Sequence, residues 1–159
     1  MAHDIYLKIE GIDGESKDAK HAKEIDIASW SFGVAQTGTF AGGGGGGAGK
    51  ASFHDFQFVH QIDRASPRLI LACASGEHIP KATLVLRKAG KEQQEYVKFT
   101  FSDVLVSSVQ SGGGNSELPM ETVSVNFSKF EAEYREQKAD GTLDAPVKHG
   151  WDLKKNTKA

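Results

Sequence analysis

Cysteine is nearly absent from this chain of 159 residues; Cys73 is its one thiol. A single thiol excludes an intramolecular disulfide framework and any zinc site built from several thiolates. Positive charge is not in excess. Lys and Arg total 19 against 21 for Asp and Glu, a formal net charge of -2, which argues against a dedicated nucleic-acid or polybasic membrane binder. Long apolar runs are missing too, since no stretch approaches the roughly 20 residues that span a bilayer. The opening Met1-Ala-His-Asp-Ile-Tyr-Leu-Lys has neither a basic n-region nor an apolar h-region. No cleaved signal peptide is therefore expected, and synthesis in the cytosol is.

Period-two alternation is what the chain has in quantity. Ile5, Leu7 and Ile9 alternate with polar neighbours and predict a half-buried strand. The charges between Gly11 and Lys23 alternate in sign and predict a solvated loop. Ile25 and Ile27 are followed by Trp30 and Phe32, a switch of parity that needs a bulge, a bend or a strand buried on both sides. Phe56 and Phe58 mark another strand. Ser66 as N-cap, Pro67, an apolar face from Leu69 to Cys73, and Gly76 as the stop predict one short helix.

Strands resume at Ala82–Leu86 and Val97–Phe101, and Ser111–Ser116 reads as a loop. A long strand from about Met120 to Arg135 changes parity, from Val123, Val125 and Phe127 to Phe130, Ala132 and Tyr134, so a bulge is expected near Ser128 and Lys129. Six or seven strands and one helix predict a mainly β fold. Closure into a small β-barrel with one flanking helix would remove its exposed edges. The length suits one domain over 1–159.

Glycine, at 18 residues, is the compositional outlier. Much of it lies in the run Gly42–Gly47, inside an extended loop of about 38–50. That run has too little side chain to bury, and it is expected to order only against something else. Gly44 through Lys50 fits G-x-x-x-x-G-K, but Ala51 stands where a phosphate loop needs Ser or Thr, and strand-like alternation follows in place of a helix. His54 and His60 would lie roughly 20 Å apart along one strand, so the histidines read as scattered surface or edge residues. Cys73 reads as a small buried hydrophobe. Ser75 lacks the G-x-S-x-G elbow, and the sequon Asn126-Phe-Ser128 lies inside a strand. No enzyme site, cofactor or metal is expected. A small-ligand carrier, with Trp30, Phe56 and Phe58 lining a cavity, is the alternative function.

Several stretches occur together in order: Ile5-Tyr-Leu-Lys-Ile9, Gly14-Glu-Ser-Lys-Asp18, His21 to Asp26, Ser29-Trp-Ser-Phe-Gly33, Gly47-Ala-Gly-Lys50 and Cys73-Ala-Ser-Gly76. Leu86-Arg-Lys-Ala-Gly90, Gln137-Lys-Ala-Asp-Gly141 and Gly150-Trp151 follow. The set resembles the haemolysin-coregulated protein (Hcp) family over nearly the whole chain. The resemblance implies a β-barrel with a flanking helix, related to phage tail tubes, and hexameric rings stacking into a hollow type VI secretion tube. It implies effectors in the lumen, a spike protein and a contractile sheath as partners, and release of the tube from the cell. Ser29, Trp30, Ser31 and Phe32 become candidates for the lumen wall. Thr39, Phe40, Gly44, Gly47 and Lys50 become candidates for an arm between rings. No nucleic acid and no membrane insertion are expected.

Overall fold

The computed structural model describes residues 3–38, 48–88 and 93–159. Its strands are β1 His3–Ile9, β2 Ile25–Asp26, β3 Ser29–Ser31, β4 Val34–Gly38, β5 Ala48–Phe53 and β6 Phe56–Gln61, followed by the helix α1 Ser66–Ser75. Then come β7 Ile79–Lys88, β8 Gln94–Gly114, β9 Glu117–Asn126, β10 Lys129–Tyr134, β11 Val147–Asp152 and β12 Thr157–Lys158. The expected mainly β class with one helix holds. There are more strands than expected: some apolar runs divide at corners, and β4, β5, β11 and β12 form in stretches where the alternation marked no separate strand.

One sheet has the order β12-β11-β10-β8-β7-β1-β2, and a second path β3-β6-β9 joins it at β8. Three segments carry the chain between the two sheets. The first half of β8 pairs with β7 and β10, and its second half pairs with β9. The turn of direction falls at Asp103, whose φ is +53. Inward positions shift there from Phe99 and Phe101 to Val104 and Val106. The Val123-to-Tyr134 run divides at the same corner, so the expected bulge is a break between β9 and β10. Ser128 N–H donates to Ser102 O at 3.0 Å across it.

The third crossing is the parity switch after Ile27. Ile27 N–H donates to Ile5 O, while the next amide, Ala28, donates to Val59 O. Consecutive amides thus serve different sheets, which is a bend. The expectation of a closed barrel is corrected here: β2 pairs with β1, β3 pairs with β6, and among the described residues no continuous ladder joins the two ends.

Between the sheets lie Leu7, Ile25, Phe56, Phe58, Leu84, Phe101, Val104 and Val123, each at most 1 % exposed. The alternating apolar residues noted in the sequence supply most of them. Helix α1 packs against β8 through Leu69 and Ala72. Its N-cap is Ala65, one residue before the expected Ser66. Asp63 and Ser66 bond locally there: Ala65 N–H donates to Asp63 Oδ1 at 2.8 Å and Asp63 N–H to Ser66 Oγ at 3.1 Å. Gly76 ends the helix at φ +66. Its N–H and that of Glu77 return to Cys73 O and Ala72 O, as a left-handed C-terminal cap requires.

The apolar face expected on this helix is narrower than drawn. Ile70 and Leu71 are 50 % and 58 % exposed, and Cys73 is half-buried. Helical geometry turns Ile70 and Leu71 away from Leu69 and Ala72, while Cys73, one turn after Leu69, packs at the core margin. Ser111–Ser116 is not a loop throughout either, since β8 continues to Gly114 and the turn is confined to Asn115 and Ser116.

Candidate functional site

Ser29, Trp30, Ser31 and Phe32 follow the bend at Ile27–Ala28, and alternation along β3 sends them to two faces. Ser29 and Ser31 are exposed, beside Val59 and Gln57 of β6. Trp30 and Phe32 turn inward. Trp30 meets Phe99 edge-on with centroids 5.3 Å apart. Phe32 lies 5.2 Å from Phe130, 5.6 Å from Phe101 and 5.8 Å from Phe127. Of the four candidates, the two serines offer side chains to a partner on the outer face, and the two aromatics belong to the core margin.

The arm begins in a separate two-stranded sheet of β4 and β5, with Val34 opposite Phe53 and Gly38 opposite Ala48. Lys50 is exposed on β5. Thr39, Phe40, Gly44 and Gly47 lie outside the described residues. Because Ala48–Phe53 is a strand, the G-x-x-x-x-G-K match has no helix behind it.

The charged stretch 11–23 is not simply solvated. Ile12, Ser16 and His21 are buried, and the segment is clamped onto the outer face of the first sheet. Arg87, 1 % exposed, donates to both carboxylate oxygens of Asp18, to Asp4 and to the Tyr6 hydroxyl. The Arg87 hydrogen bond is the chief reason that the Asp18 carboxyl is held far below the usual carboxylate range. Asp18 in turn holds Arg87 further above its ordinary value. Burial is the main cause raising the Tyr6 phenol, partly offset by Arg87. His21 stacks on Tyr6 with centroids 4.5 Å apart, and its two ring nitrogens face Glu24 and Glu95 at 2.9 and 2.7 Å.

The histidines are not all at surfaces or edges. His60 is fully buried, and its Nε2 lies 2.8 Å from Oε1 of Glu121, also buried. Ser111 Oγ donates to the other Glu121 oxygen at 3.2 Å. Asp63 approaches His60 Nδ1 at 3.8 Å, and burial raises its carboxyl above the ordinary range. This cluster ties β6, β8 and β9 to the approach to α1. No sequence signal pairs positions 60 and 121, because the pairing is created by strand register.

Among the described residues, no group of three or more His, Cys, Asp or Glu is arranged to hold a metal. The carrier alternative is not supported. Phe56 and Phe58 are 0 % exposed and stacked into the core, with Phe56 4.7 Å from Phe101, so they line no cavity. An open cleft of about 330 Å³ on the first sheet is walled mainly by charged side chains, among them Lys8, Glu10, Glu24, Lys81 and Lys98, with Val85 its one apolar lining residue. Among the described residues, no helix is long and apolar enough to cross a membrane.

This two-sheet β fold is shared with known proteins of a secretion machine. Residues 6–134 match the family described as "Type VI secretion system effector, Hcp". Protein hcp1 of Pseudomonas aeruginosa is 48 % identical over 162 residues, covering 100 % of both chains. The crystal structure of Hcp1 from Salmonella typhimurium has a TM-score of 0.83 at 41 % identity, covering 100 % of both chains. A structure described as a type six secretion system protein has a TM-score of 0.93 at 30 % identity, covering 99 % of this chain and 100 % of its own. The chain belongs to the Hcp family. It is a tube component of the type VI secretion system and a member of a secreted protein family.

Proposed function

We propose that this chain, as a single domain over 1–159, assembles into hexameric rings that stack into the hollow tube of the secretion machine. The observation that carries this reading is the β4–β5 hairpin. Among the described residues it pairs with no other strand of the chain, and a two-stranded hairpin alone is at best marginally stable in water. Val34 on it is 53 % exposed, as are the apolar Leu71, at 58 %, and Val147, at 60 %. A neighbouring copy would supply what the hairpin lacks, and head-to-tail contacts that close produce a ring.

In this reading the arm from Thr39 to Lys50 reaches an adjacent ring, and Ser29 and Ser31 face the lumen. Effectors travel inside, a spike protein sits at the tip and a contractile sheath surrounds the tube. The chain acts as a structural part and not as an enzyme. It is held in the cytoplasm before firing and released from the cell with the tube.

The test is the solution mass by light scattering behind a sizing column at several concentrations. A mass near about six times 17.1 kDa is expected. A monomer at every concentration would overturn the ring.

A further inference from the structure

The buried cluster around His60 holds a contact that hydrogen-bond chemistry leaves unfinished. With Glu121 ionised, its Oε1 can only accept, so His60 Nε2 carries the ring proton across the 2.8 Å contact. Nδ1 is then a bare lone pair, buried and without a hydrogen-bond partner. The atom facing it is Oδ1 of Asp63, a second acceptor, at 3.8 Å. Two acceptors repel, which accounts for a gap wider than a hydrogen bond. Buried polar atoms are seldom left unpaired, and one proton between Nδ1 and Oδ1 would turn this contact into a hydrogen bond.

The surroundings favour that proton. From β9 comes Glu121, and from β8 only the Ser111 hydroxyl, which donates to the other Glu121 oxygen at 3.2 Å. The 11–24 segment contributes Glu15, whose Oε2 accepts from Arg64 N–H at 2.8 Å. On β6 itself, the neutral Phe58 ring lies 5.6 Å from the imidazole. Arg64 is exposed. Among the described residues, no Lys or Arg forms a salt bridge with Asp63, Glu121 or Glu15. Nearby negative charge favours protonation. Burial is the main cause that raises the Asp63 carboxyl. A carboxyl raised in the folded chain keeps a proton that the unfolded chain has released, so the folded cluster gains stability as pH falls.

Asp63 also organises the start of α1. Its Oδ1 accepts from Ala65 N–H at 2.8 Å, and its carbonyl accepts from Ser66 N–H at 3.1 Å. Drawing Asp63 toward His60 therefore draws the first turn of α1 toward β6.

We propose that His60 and Asp63 form a proton-operated latch, in which one proton taken up between them closes the 3.8 Å gap and fixes the start of α1 to β6. The proton belongs to the pair and not to either residue alone. The latch is loose at neutral pH and above, and tightens in mild acid. Ile70 and Leu71, 50 % and 58 % exposed, ride on the same helix, so the pose of this apolar outer face follows the latch.

The test is amide hydrogen exchange of the full chain, read by mass spectrometry at about pH 8 and about pH 5. Both lie above the range in which Asp18 titrates. Rates are corrected for the intrinsic effect of pH and referred to peptides of β7, which removes any change in global stability. The segment 62–69 should be about fivefold better protected at the lower pH, the effect of one added hydrogen bond. Asp63→Asn supplies an N–H to His60 Nδ1 without a proton from solvent, and its amide oxygen still accepts from Ala65. Its protection should be high at both pH values, with a ratio within about twofold of unity. Glu15→Gln should keep the parent's response. Equal protection of the parent at the two pH values overturns the latch. A response that survives in Asp63→Asn, or one that vanishes in Glu15→Gln, places the proton elsewhere and overturns it as well. The parent and Glu15→Gln decide the matter even if Asp63→Asn fails to fold.

Discussion

Arg87 grips Asp18 with two parallel hydrogen bonds, Nη2 to Oδ1 at 2.8 Å and Nη1 to Oδ2 at 3.0 Å. The pair joins β7 to a segment 69 positions earlier. A carboxyl whose folded value is lowered stabilises the chain at any pH above its unfolded value of about 3.9, and loses that contribution as pH falls through the folded value. The Asp18 contribution is therefore complete at neutral pH and declines only below about pH 4. Asp18→Asn should melt at a lower temperature than the parent at neutral pH, and the gap should narrow steadily as pH falls below about 4. Thermal unfolding at stepped pH checks this; curves that stay parallel down to the lowest pH would remove the linkage.

The buried pair His60–Glu121 makes a sharper stability prediction. Removing one partner of a buried charged or hydrogen-bonded pair strands the other and costs about 3–5 kcal/mol. Glu121→Ala should approach that figure. Glu121→Gln, whose amide oxygen can still accept from His60 while its NH2 donates to the Ser111 hydroxyl, should cost about 1 kcal/mol. Urea unfolding of both variants separates the two. Equal losses would mean that packing volume and not the polar partner matters at this position.

Asp103 turns β8 at φ +53, a region that Asp, Asn and Gly tolerate and β-branched residues do not. Its carboxylate also accepts from Ser128 Oγ at 2.6 Å and faces His78 Nε2 at 3.0 Å. Asp103→Asn keeps the backbone preference and much of the bonding, so its urea midpoint should stay nearest the parent's. Asp103→Gly keeps the turn but loses the bonds, and Asp103→Val loses both. The midpoints should fall in that order. If Val matched Gly, backbone conformation would not be what fixes this corner.

These residues mark the limit of what the sequence alone reveals. The breaks after Ile27 and Phe127 are visible as changes of parity, because a strand cannot switch its apolar side without bending. The turn at Asp103 is equally sharp, but the apolar Val104, Leu105 and Val106 that follow it fit either parity, so no switch is legible there. The stretch 11–23 looks solvated because the partner of Asp18 is far along the chain. His60 looks peripheral because Glu121 is brought beside it by register. Local periodicity was enough for the strongly alternating strands and α1, but not for β4, β11 and β12; pairings of buried charge depend on tertiary contacts that no local pattern encodes.

Gly14 gives a prediction about close backbone approach. A Cβ added there would lie 2.5 Å from the Glu24 carbonyl oxygen, where Gly14 N–H donates to Lys23 O at 2.8 Å. Gly14→Ala must push the 11–24 segment off its own return strand, a steric cost of about 1–3 kcal/mol. Amide exchange should speed up in that segment first. Unchanged protection at Gly14 and Ser16 would show that the segment yields without loss.

Ser31 and Phe32 are adjacent, yet their side chains leave β3 on opposite sides, so substitutions should separate assembly function from folding. Phe32 touches Phe53, Phe99, Phe101, Phe127 and Phe130. Phe32→Ala should open a cavity among them and cost about 3 kcal/mol, the low end for an aromatic because Phe32 is only partly buried. Ser31→Gln enlarges an exposed side chain and should leave the unfolding midpoint within about 0.5 kcal/mol of the parent. Rings of Ser31→Gln should form normally and retain less cargo in co-purification. Loss of rings with an unchanged midpoint would move Ser31 from the lumen to a contact between subunits. A lowered midpoint would return it to the core margin with Phe32.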